Sequence, residues 1–473
     1  AQRLLPHTVQ FAELHGLLYG AKDRSSDASA ATQCPVAMLP FKIPRRAFDV
    51  CVALSPLWNQ LVDAAARDLQ WLYTTLEPAA KADDFTARLL QMSKELHKEG
   101  LRQPMMLGIH RSDYMLHESG TPRFLQVELN TIASSMASHS ANVRKLHNYV
   151  LGRYGSQSDD VGRSLQAHFG VPSTQIVDRL PENVALKEIP RAFAKAHAAH
   201  GVKDAFVLFV VQDDERNFAD QRFLEYALWE DHGVKVLRKS LTTLAREASL
   251  DSKGGLRVPE GEVSVVYYRA GYSPDDYPSE SEWAARKVLE QSMAIKCPSV
   301  DYQLVGAKKV QQALARPGAV ERFVGESAGR RLRGSFAGLW GLGRGEDDSQ
   351  IIKQACERPE EFVLKPQREG GGHNFYGADV AKKLKELTPE ERSAYILMQR
   401  ILPGLQPSVM TREGKVQVMD CLSEFGFYSV FLGDGRNVHL SEHAGHLVRT
   451  KAQGVDEGGV AAGYAVISGP FLT

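Results

Sequence analysis

The sequence Lys365-Pro366-Gln367-Arg368-Glu369-Gly370-Gly371-Gly372-His373-Asn374 carries the strongest structural signal in this chain of 473 residues. The apolar run Phe362–Leu364 leads directly into Lys365, which is typical of a strand that delivers a cation to a loop. Three consecutive glycines then allow the backbone to approach a ligand closely and to point its N–H groups at it. A lysine, a carboxylate and a glycine loop together suit a nucleoside triphosphate with magnesium.

This pattern is not the Walker motif, because no Gly-Lys-Ser/Thr follows the glycines. A glycine triplet by itself is more often a flexible turn. The nucleotide interpretation therefore depends on what the rest of the chain supplies.

Composition favours a small ligand. The chain is 43% hydrophobic and 24% charged, and its 57 basic residues balance its 57 acidic residues. A net charge of zero gives no indication of nucleic acid or of an anionic membrane surface as the partner. The longest strongly apolar run, Ala205–Val211, is far too short to span a bilayer. The five cysteines form no CxxC or Cys/His cluster, which argues against a disulfide framework or a zinc site and favours a reducing compartment.

A chain of this length predicts two or three domains. The first 150 residues are predicted to be mainly helical, with helices over Leu57–Thr74 and Asp84–Lys98, where apolar residues recur every three or four positions. Residues 124–130 alternate strictly between apolar and polar side chains, which predicts a strand with Glu128 and Asn130 on its polar face.

Residues 203–305 are predicted to form an inserted α/β unit. Ala205–Val211 reads as a strand buried on both faces, a helix follows over Asp220–Glu230, and further strands are expected at Val234–Leu237 and Val263–Tyr268. This order predicts a parallel sheet, whose ligands bind beyond the carboxyl ends of the strands.

The remainder, residues 306–473, is predicted to be a small α+β region, so the fold class is α/β (α+β overall). Strands at Phe362–Lys365 and Tyr395–Met398 bracket a helix near Ala378–Leu387. Two alternating strands, Val416–Cys421 and Gly426–Leu432, are expected before a turn at residues 433–435. A second glycine-rich loop covers residues 454–463.

Several polar residues could form a ligand site, although each has a simpler interpretation as a solvent-facing side chain. Glu128 and Asn130 could bind a hard cation through oxygen. Arg449 and Lys451 flank Thr450 and could hold carboxylate or phosphate groups. Arg111 could face a substrate or pair with an acid.

Taken together, these segments resemble the eukaryotic glutathione synthetase family of ATP-grasp ligases. The matching segments occur in the family's order and are Leu107–Met115, Val127–Ile132, Glu215–Asn217, Gly306–Gln312, Lys365–Gly372, Arg449–Lys451 and Val460–Gly463. The resemblance implies an ATP-grasp fold in which residues 1–202 form the helical part and the start of the body. Residues 203–305 would then be an inserted parallel-sheet substrate domain, and residues 306–473 the nucleotide-binding region, with a mobile lid over about 340–420.

The resemblance also implies residue roles. The implied metal ligands are Glu128, Asn130 and Glu369. The implied catalytic cations are Arg111, Lys308, Lys365 and Arg449. The implied ATP-binding residues are Glu128, Lys308, Lys365, Gln367, Glu369, Gly370, Gly371, Gly372, Asn374, Tyr376, Met398, Gln399, Arg400, Ile401, Glu424, Lys451 and Glu457. The implied substrate-binding residues are Arg111, Ile132, Ala133, Ser134, Ser135, Glu215, Arg216, Asn217, Gln221, Arg269, Ala270, Gly271, Tyr272, Arg449, Val460 and Ala461.

The family joins γ-glutamylcysteine to glycine through an acyl phosphate, with ATP as cosubstrate and magnesium, expected here as two ions. We therefore expect small-molecule substrates, no nucleic acid or membrane partner, a homodimer and a cytoplasmic location, with an organellar copy as the alternative because the chain does not start with methionine. The alternative functions are another ATP-grasp carboxylate–amine ligase, such as one that uses β-alanine, and a non-catalytic ATP-binding protein. Ala133 stands where many family members have serine, which puts one substrate hydrogen bond in question.

Overall fold

The computed structural model describes residues 2–21, 30–118, 122–343, 348–367, 373–412, 414–456, 458–460 and 463–473. Within them the α-helices are α1 (Leu5–Leu14), α2 (Arg45–Arg67), α3 (Leu69–Ala82), α4 (Asp84–Glu99), α5 (Ala137–Tyr154), α6 (Asp160–Phe169), α7 (Ala185–His200), α8 (Phe218–His232), α9 (Leu241–Glu247), α10 (Glu280–Gln291), α11 (Val300–Val305), α12 (Lys308–Ala315), α13 (Ala319–Arg333), α14 (Ser349–Glu357), α15 (Ala378–Glu386) and α16 (Pro389–Arg392).

The strands of the same residues are β1 (Leu18–Gly20), β2 (Ala31–Gln33), β3 (Val36–Ala37), β4 (Phe41–Ile43), β5 (Met106–His117), β6 (Arg123–Asn130), β7 (Phe206–Val210), β8 (Val236–Lys239), β9 (Ser249–Leu250), β10 (Leu256–Val258), β11 (Gly261–Tyr268), β12 (Ile295–Cys297), β13 (Leu339–Gly341), β14 (Phe362–Pro366), β15 (Phe375–Tyr376), β16 (Tyr395–Gln399), β17 (Gln406–Arg412), β18 (Lys415–Gly433), β19 (Val438–Ala452), β20 (Val466–Ser468) and β21 (Pro470–Leu472). The helices and the mixed sheets confirm the α/β fold class.

One large mixed sheet organises the molecule. Its order is β17-β3-β20-β19-β18-β5-β12-β11-β10-β9, with β6 paired to β5, and β7 paired to both β11 and β8. A separate sheet has the order β13-β16-β14-β15. Helices pack on the large sheet over two extensive apolar cores. The middle of the large sheet, β6-β5-β18-β19, is where long strands lie side by side and can present charged side chains to a common space.

The parallel unit expected within residues 203–305 is present. β7 pairs in parallel with β8 and β11, and β11 pairs in parallel with β12. Val207–Val210 are fully buried, which explains why that part of the run lacks alternation. These strands continue the large sheet, because β12 also pairs with β5 through Lys296 and Met106. The predicted domain boundaries at 202/203 and 305/306 stay predictions.

Two sequence-based assignments were wrong. The helix predicted over Leu57–Thr74 is interrupted, because Asp68 leaves the helical conformation and caps α3 by accepting a hydrogen bond from the Trp71 N–H at 3.0 Å. The strands predicted at 416–421 and 426–432 are one continuous strand, β18. Both edges of its central part are paired, to β5 and to β19, so the backbone stays extended where a break was expected. The turn at 433–435 is confirmed, since it joins β18 to β19.

The four-stranded sheet has an apolar core of its own, which includes Leu364, Val380 and Leu397. It lies within the range predicted to form a lid. None of the helices in the described part of the chain combines the length and the apolar composition that crossing a bilayer requires.

Two buried histidines make stability depend on pH. Burial lowers the pKa of His110 to about 3, and burial, with help from His443 and Arg144, lowers that of His446 to about 3. Neither ring has a hydrogen-bond partner among the described residues. In the unfolded chain a histidine pKa is about 6.5, so the unfolded state binds more protons between these values and stability falls as pH falls.

We therefore expect the thermal unfolding midpoint to fall on acidification below about pH 6.5, each histidine contributing up to about 1.4 kcal/mol per pH unit. Thermal unfolding from pH 7.5 to 5.5 should show a shallower dependence in His446→Gln than in the wild type. The exposed His232→Gln is the control and should keep the wild-type slope. Equal slopes in all three proteins would contradict this assignment.

Candidate active site

Strand register brings the charged residues of the candidate site together. On β5 and β6, Arg111 lies opposite Asn130, and Asp113 lies opposite Glu128. On β18 and β19, Glu424 lies opposite Arg449. Directly opposed residues have neighbouring side chains on one face of a sheet, so four adjacent strands assemble one polar cluster.

All of these residues except Asp113 line a cavity of about 880 Å³. The predicted site residues that line it are Arg111, Glu128, Asn130, Ile132, Ala133, Ser135, Glu215, Arg216, Asn217, Arg269, Tyr272, Lys365, Asn374, Tyr376, Met398, Gln399, Arg400, Ile401, Glu424, Arg449, Lys451 and Val460. Residues from all three predicted parts of the chain therefore share one space, which is large enough for a nucleotide-sized ligand.

Glu128 is the anionic centre of the cluster. Its carboxylate lies 3.0 Å from the Lys308 ammonium and accepts a hydrogen bond from the Asn130 amide at 3.3 Å. Burial by itself raises the pKa of Glu128, but Lys308, Lys365 and Arg449 outweigh burial and hold the pKa well below its ordinary value. Glu128 is therefore an ionised carboxylate among cations, as a cation ligand must be.

Two arginines share a buried carboxylate at the next position. Arg111 donates to Asp113 through Nε at 2.7 Å and Nη2 at 2.8 Å, and Arg449 donates to the same carboxylate at 2.8 Å. Arg449 also donates to Glu424. Burial raises the pKa of Glu424 even though Arg449 acts in the opposite direction. Both guanidinium groups line the cavity, so they can meet an anionic ligand there.

A second polar group lies beyond the carboxyl ends of β7 and β11. Arg269 donates to the fully buried Asp220 at 3.1 Å. Glu215 accepts from the Asn217 N–H at 2.7 Å and from the Gln221 amide. This is the edge at which parallel sheets bind ligands. The cavity wall at this end thus combines a buried arginine with carboxylate and amide groups, which suits an amino-acid head group.

Another part of the cavity lining is apolar. β14 and β16 contribute Val363 and Met398, and Ile401 and Leu422 add further apolar surface. Arg400 lies over the Tyr376 ring, 5.8 Å from its centroid. Such a slot suits a flat heteroaromatic ring such as adenine.

Some predicted residues lie elsewhere. Lys308 and Gln367 line an adjoining cavity of about 640 Å³, which shares Ile132, Tyr272 and Asn374 with the first. The predicted residues absent from the described lining of both cavities are Ser134, Gln221, Ala270 and Gly271. Two of them bond groups of the site's strands and loops: the Ser134 hydroxyl donates to the Ile109 carbonyl at 3.2 Å, and the Gln221 amide donates to Glu215. The predicted site residues Glu369, Gly370, Gly371, Gly372, Glu457 and Ala461 lie outside the described residues.

Two buried acids were missed in the sequence. Asp113 bonds both cavity arginines, and Asp220 bonds Arg269 and accepts from the backbone N–H groups of Met136 and Ser138. The signal for Asp113 was its spacing of two from Arg111 on a strand, which puts both on one face. Asp220 had no comparable signal, because its partners come from distant parts of the chain.

The site fits magnesium in its oxygen chemistry. Glu128, Asp113 and Glu424 have carboxylate oxygens within 4.8 Å of one another. Asp113 and Glu424 are bonded by arginines and Glu128 by Lys308. Among these three acids, only Glu128 both lines the cavity and has Asn130, opposite Arg111, on the same strand face to offer a second oxygen. Glu128 and Asn130 are therefore the side chains that could hold a hard cation here. Two oxygen-bearing side chains suit magnesium, which keeps several waters and takes its remaining ligands from phosphate.

The mixed α/β fold and a cavity lined by cations, by a carboxylate–amide pair and by apolar side chains are the features that a ligase of the ATP-grasp type requires. Comparison with known proteins identifies the family. Residues 1–472 match the family described as eukaryotic glutathione synthase, ATP binding domain. The chain belongs to this family.

Full-length relatives agree. The chain is 41% identical to the chloroplastic glutathione synthetase of Solanum lycopersicum, over 100% of this chain and 84% of the relative. It is 39% identical to the glutathione synthetase of Dictyostelium discoideum, over 98% and 97% of the two chains, and 37% identical to that of Homo sapiens, over 99% and 96%. A solved glutathione synthetase-like effector from Globodera pallida shares the fold, with a TM-score of 0.76 at 21% identity, covering 100% of this chain and 96% of its own.

Proposed function

We propose that this chain joins the cysteinyl carboxylate of γ-glutamylcysteine to the amine of glycine, with cleavage of ATP to ADP and phosphate, and so forms glutathione. The observation that carries the proposal is that one cavity is lined by the charged residues Arg111, Glu128, Lys365 and Arg449, by apolar residues such as Val363, Met398 and Ile401, and by Arg269. A carboxylate and a triphosphate must meet at such a cluster of cations for phosphoryl transfer between them.

The adenine ring would lie against Met398 and Ile401, and the triphosphate would extend towards Lys365 and Lys308. Magnesium, held by Glu128 and Asn130 with Glu369 as the expected third ligand, would neutralise charge on the phosphate oxygens. The γ-glutamyl head group would bind at Arg269 and Glu215, which directs the cysteinyl carboxylate back to Arg111.

In the first step the carboxylate oxygen attacks the γ-phosphorus of ATP, the bond to the β,γ-bridging oxygen breaks, and ADP leaves. In the second step the glycine amine attacks the acyl carbon, loses a proton and expels phosphate. Both steps move negative charge between oxygens, and Arg111, Lys308, Lys365 and Arg449 would stabilise that charge without a covalent enzyme intermediate. Exclusion of water matters because an acyl phosphate hydrolyses readily.

Stoichiometry tests the proposal. With ATP, magnesium, γ-glutamylcysteine and glycine, one ADP should appear for each glutathione, and omission of either amino-acid substrate should stop glutathione formation. Glycine should be used in preference to β-alanine, because one extra methylene moves the amine away from its attack position. Equal kcat/KM values for the two amines would favour the β-alanine alternative. ATP binding without ADP release under any of these conditions would favour the non-catalytic alternative.

Replacing Arg269 with lysine should raise KM for γ-glutamylcysteine about tenfold or more and leave KM for ATP nearly unchanged. A lysine keeps the positive charge that Asp220 requires but loses the planar fork that binds a carboxylate through two hydrogen bonds. A charge-assisted hydrogen bond is worth about 1.5–3 kcal/mol. Arg222→Lys is a nearby control, since Arg222 bonds Glu225 at 2.8 Å and does not line either described cavity. Similar increases of both KM values in Arg269→Lys would indicate general damage instead.

From the family resemblance we also propose that the protein is a homodimer and that it is located in the cytoplasm. The Solanum lycopersicum relative is described as chloroplastic, so the compartment of this chain is a separate question. Size-exclusion chromatography with light scattering tests the first expectation, and a monomer would refute it. Imaging of the tagged protein tests the second.

A further inference from the structure

Asp113 lies at the centre of the charged cluster yet does not line the described cavity. It is completely buried, with 0% of its surface exposed. Its carboxylate accepts four hydrogen bonds: two from Arg111, at 2.7 and 2.8 Å, one from Arg449 at 2.8 Å and one from the Asn130 amide at 3.0 Å. All three donor residues do line the cavity. One hidden carboxylate therefore connects side chains from three strands, β6, β5 and β19, that line the ligand space.

The sheet is built to allow this arrangement. Asp113 lies on β5, directly opposite Gly426 on β18, and Arg449 approaches from the next strand, β19. A Cβ atom at Gly426 would lie 2.7 Å from the Asp113 Oδ1 and 2.8 Å from the Arg111 Cδ, closer than such atoms pack. The missing side chain at Gly426 thus makes the space in which the Arg111–Asp113 pair sits and across which Arg449 reaches.

The bonding pattern restricts each donor in a different way. Two parallel bonds fix the plane of the Arg111 guanidinium group, since this fork matches a carboxylate in only one orientation. The same Nη2 atom of Arg449 donates to both Asp113 and Glu424, so this guanidinium group is held between two acids. Asn130 donates to Asp113 through its amide nitrogen. Its amide oxygen is therefore the end that can meet a cation.

We propose that Asp113 is a positioning residue for the ligation reaction: it holds Arg111, Arg449 and Asn130 in the orientation in which they meet the substrate carboxylates, the phosphate and the cation. This inference rests on the proposed function. Asp113 acts through the three donors and touches no reacting atom. A carboxylate bound only for fold stability would not need its partners to be the groups that face the cavity.

Asp113→Asn tests the charge, because asparagine has the same shape but one hydrogen-bond acceptor fewer and no negative charge. Misplacement of reacting groups by about 1 Å can cost about 100-fold in rate. We expect kcat to fall about 100-fold while the affinity for a non-hydrolysable ATP analogue changes less than threefold. We also expect more than one ADP for each glutathione, because a badly aligned acyl phosphate is lost to water before glycine attacks.

Gly426→Ala displaces the Arg111–Asp113 pair by adding a methyl group beside it, without changing any charge. It tests the proposal independently if Asp113→Asn does not fold. Its backbone is not in the left-handed region, so alanine introduces no backbone strain, only pressure on Asp113 and Arg111. It should show the same loss of kcat and the same excess of ADP over glutathione.

Asp301→Asn is the matched control. Asp301 is also buried and also bonds a basic side chain, His97, at 2.8 Å, but neither lines the described cavities. It should lose thermal stability while keeping the ratio of one ADP to one glutathione. Folded Asp113→Asn and Gly426→Ala proteins with wild-type kcat and coupling would overturn the proposal. A wild-type protein that makes no glutathione would instead overturn the proposed function.

Discussion

Replacing Glu128 with glutamine is expected to lower kcat by about 100- to 1,000-fold, the cost typical of losing one preorganised charge at a reacting centre. Glu128 is the anion that Lys308 bonds at 3.0 Å, and Lys365 and Arg449 also act on it. The neutral amide removes a cation ligand and leaves three cations without their shared counterion. The concentration of magnesium that gives half-maximal rate should rise as well, and a magnesium titration of ADP release measures both effects.

Glu188→Gln is the control for this substitution. Glu188 is also partly buried, with 14% of its side chain exposed against 23% for Glu128, and it also bonds a cation, Arg191. It lies on α7, outside the described cavity lining, so its removal should leave the magnesium titration unchanged. A Glu128→Gln enzyme with normal turnover at saturating magnesium would show that Glu128 is not a metal ligand.

Replacing Lys365 with methionine is expected to reduce kcat/KM for ATP by about 100- to 1,000-fold with little change in the unfolding midpoint. Lys365 is itself a buried residue of β14, and its ammonium donates to the Val127 carbonyl at 2.9 Å, next to Glu128. That position lets the ammonium stabilise charge on the transferred phosphoryl group. Methionine has a similar length and apolar stem, so packing is largely kept. Steady-state kinetics at varied ATP, with thermal unfolding, measures the effect.

Lys353→Met provides the comparison, because Lys353 lies nearby in sequence on α14 with 76% of its side chain exposed. It should behave as the wild type. Lys365→Arg should recover only part of the activity, since a guanidinium group is larger and presents its donors in a fixed plane. Full activity in Lys365→Met would remove the lysine from the mechanism and weaken the assignment of the glycine-rich segment after it.

The sequence predicted the presence of helices and strands better than it predicted where they begin and end. Strands β6, β7 and β11 were found because alternation or a continuous apolar run is a local signal. The break at Asp68 was missed, because apolar periodicity continues across it and only the capping bond reveals it. The length of β18 was missed for a different reason: pairing on both edges is a property of the sheet and is not visible in the strand itself.

The site shows the same division. Residue types such as Lys365 and Glu128 indicated a nucleotide and a cation, and the order of motifs indicated the family. The partner of Arg111 was left open in the sequence, and the structure shows Asp113 shared with Arg449. That pairing depends on the register of three strands and on the space left by Gly426, which one sequence does not specify.

Transfer of oxygen from substrate to phosphate tests the central claim, activation of the γ-glutamylcysteine carboxylate by ATP, most directly. The cysteinyl carboxylate is labelled with ¹⁸O on both oxygens, and the inorganic phosphate released during turnover with ATP and glycine is examined by mass spectrometry. If an acyl phosphate forms, its bridging oxygen comes from the carboxylate and leaves with the phosphate. The account predicts one ¹⁸O in each phosphate released. Phosphate that contains no ¹⁸O while glutathione accumulates would contradict it.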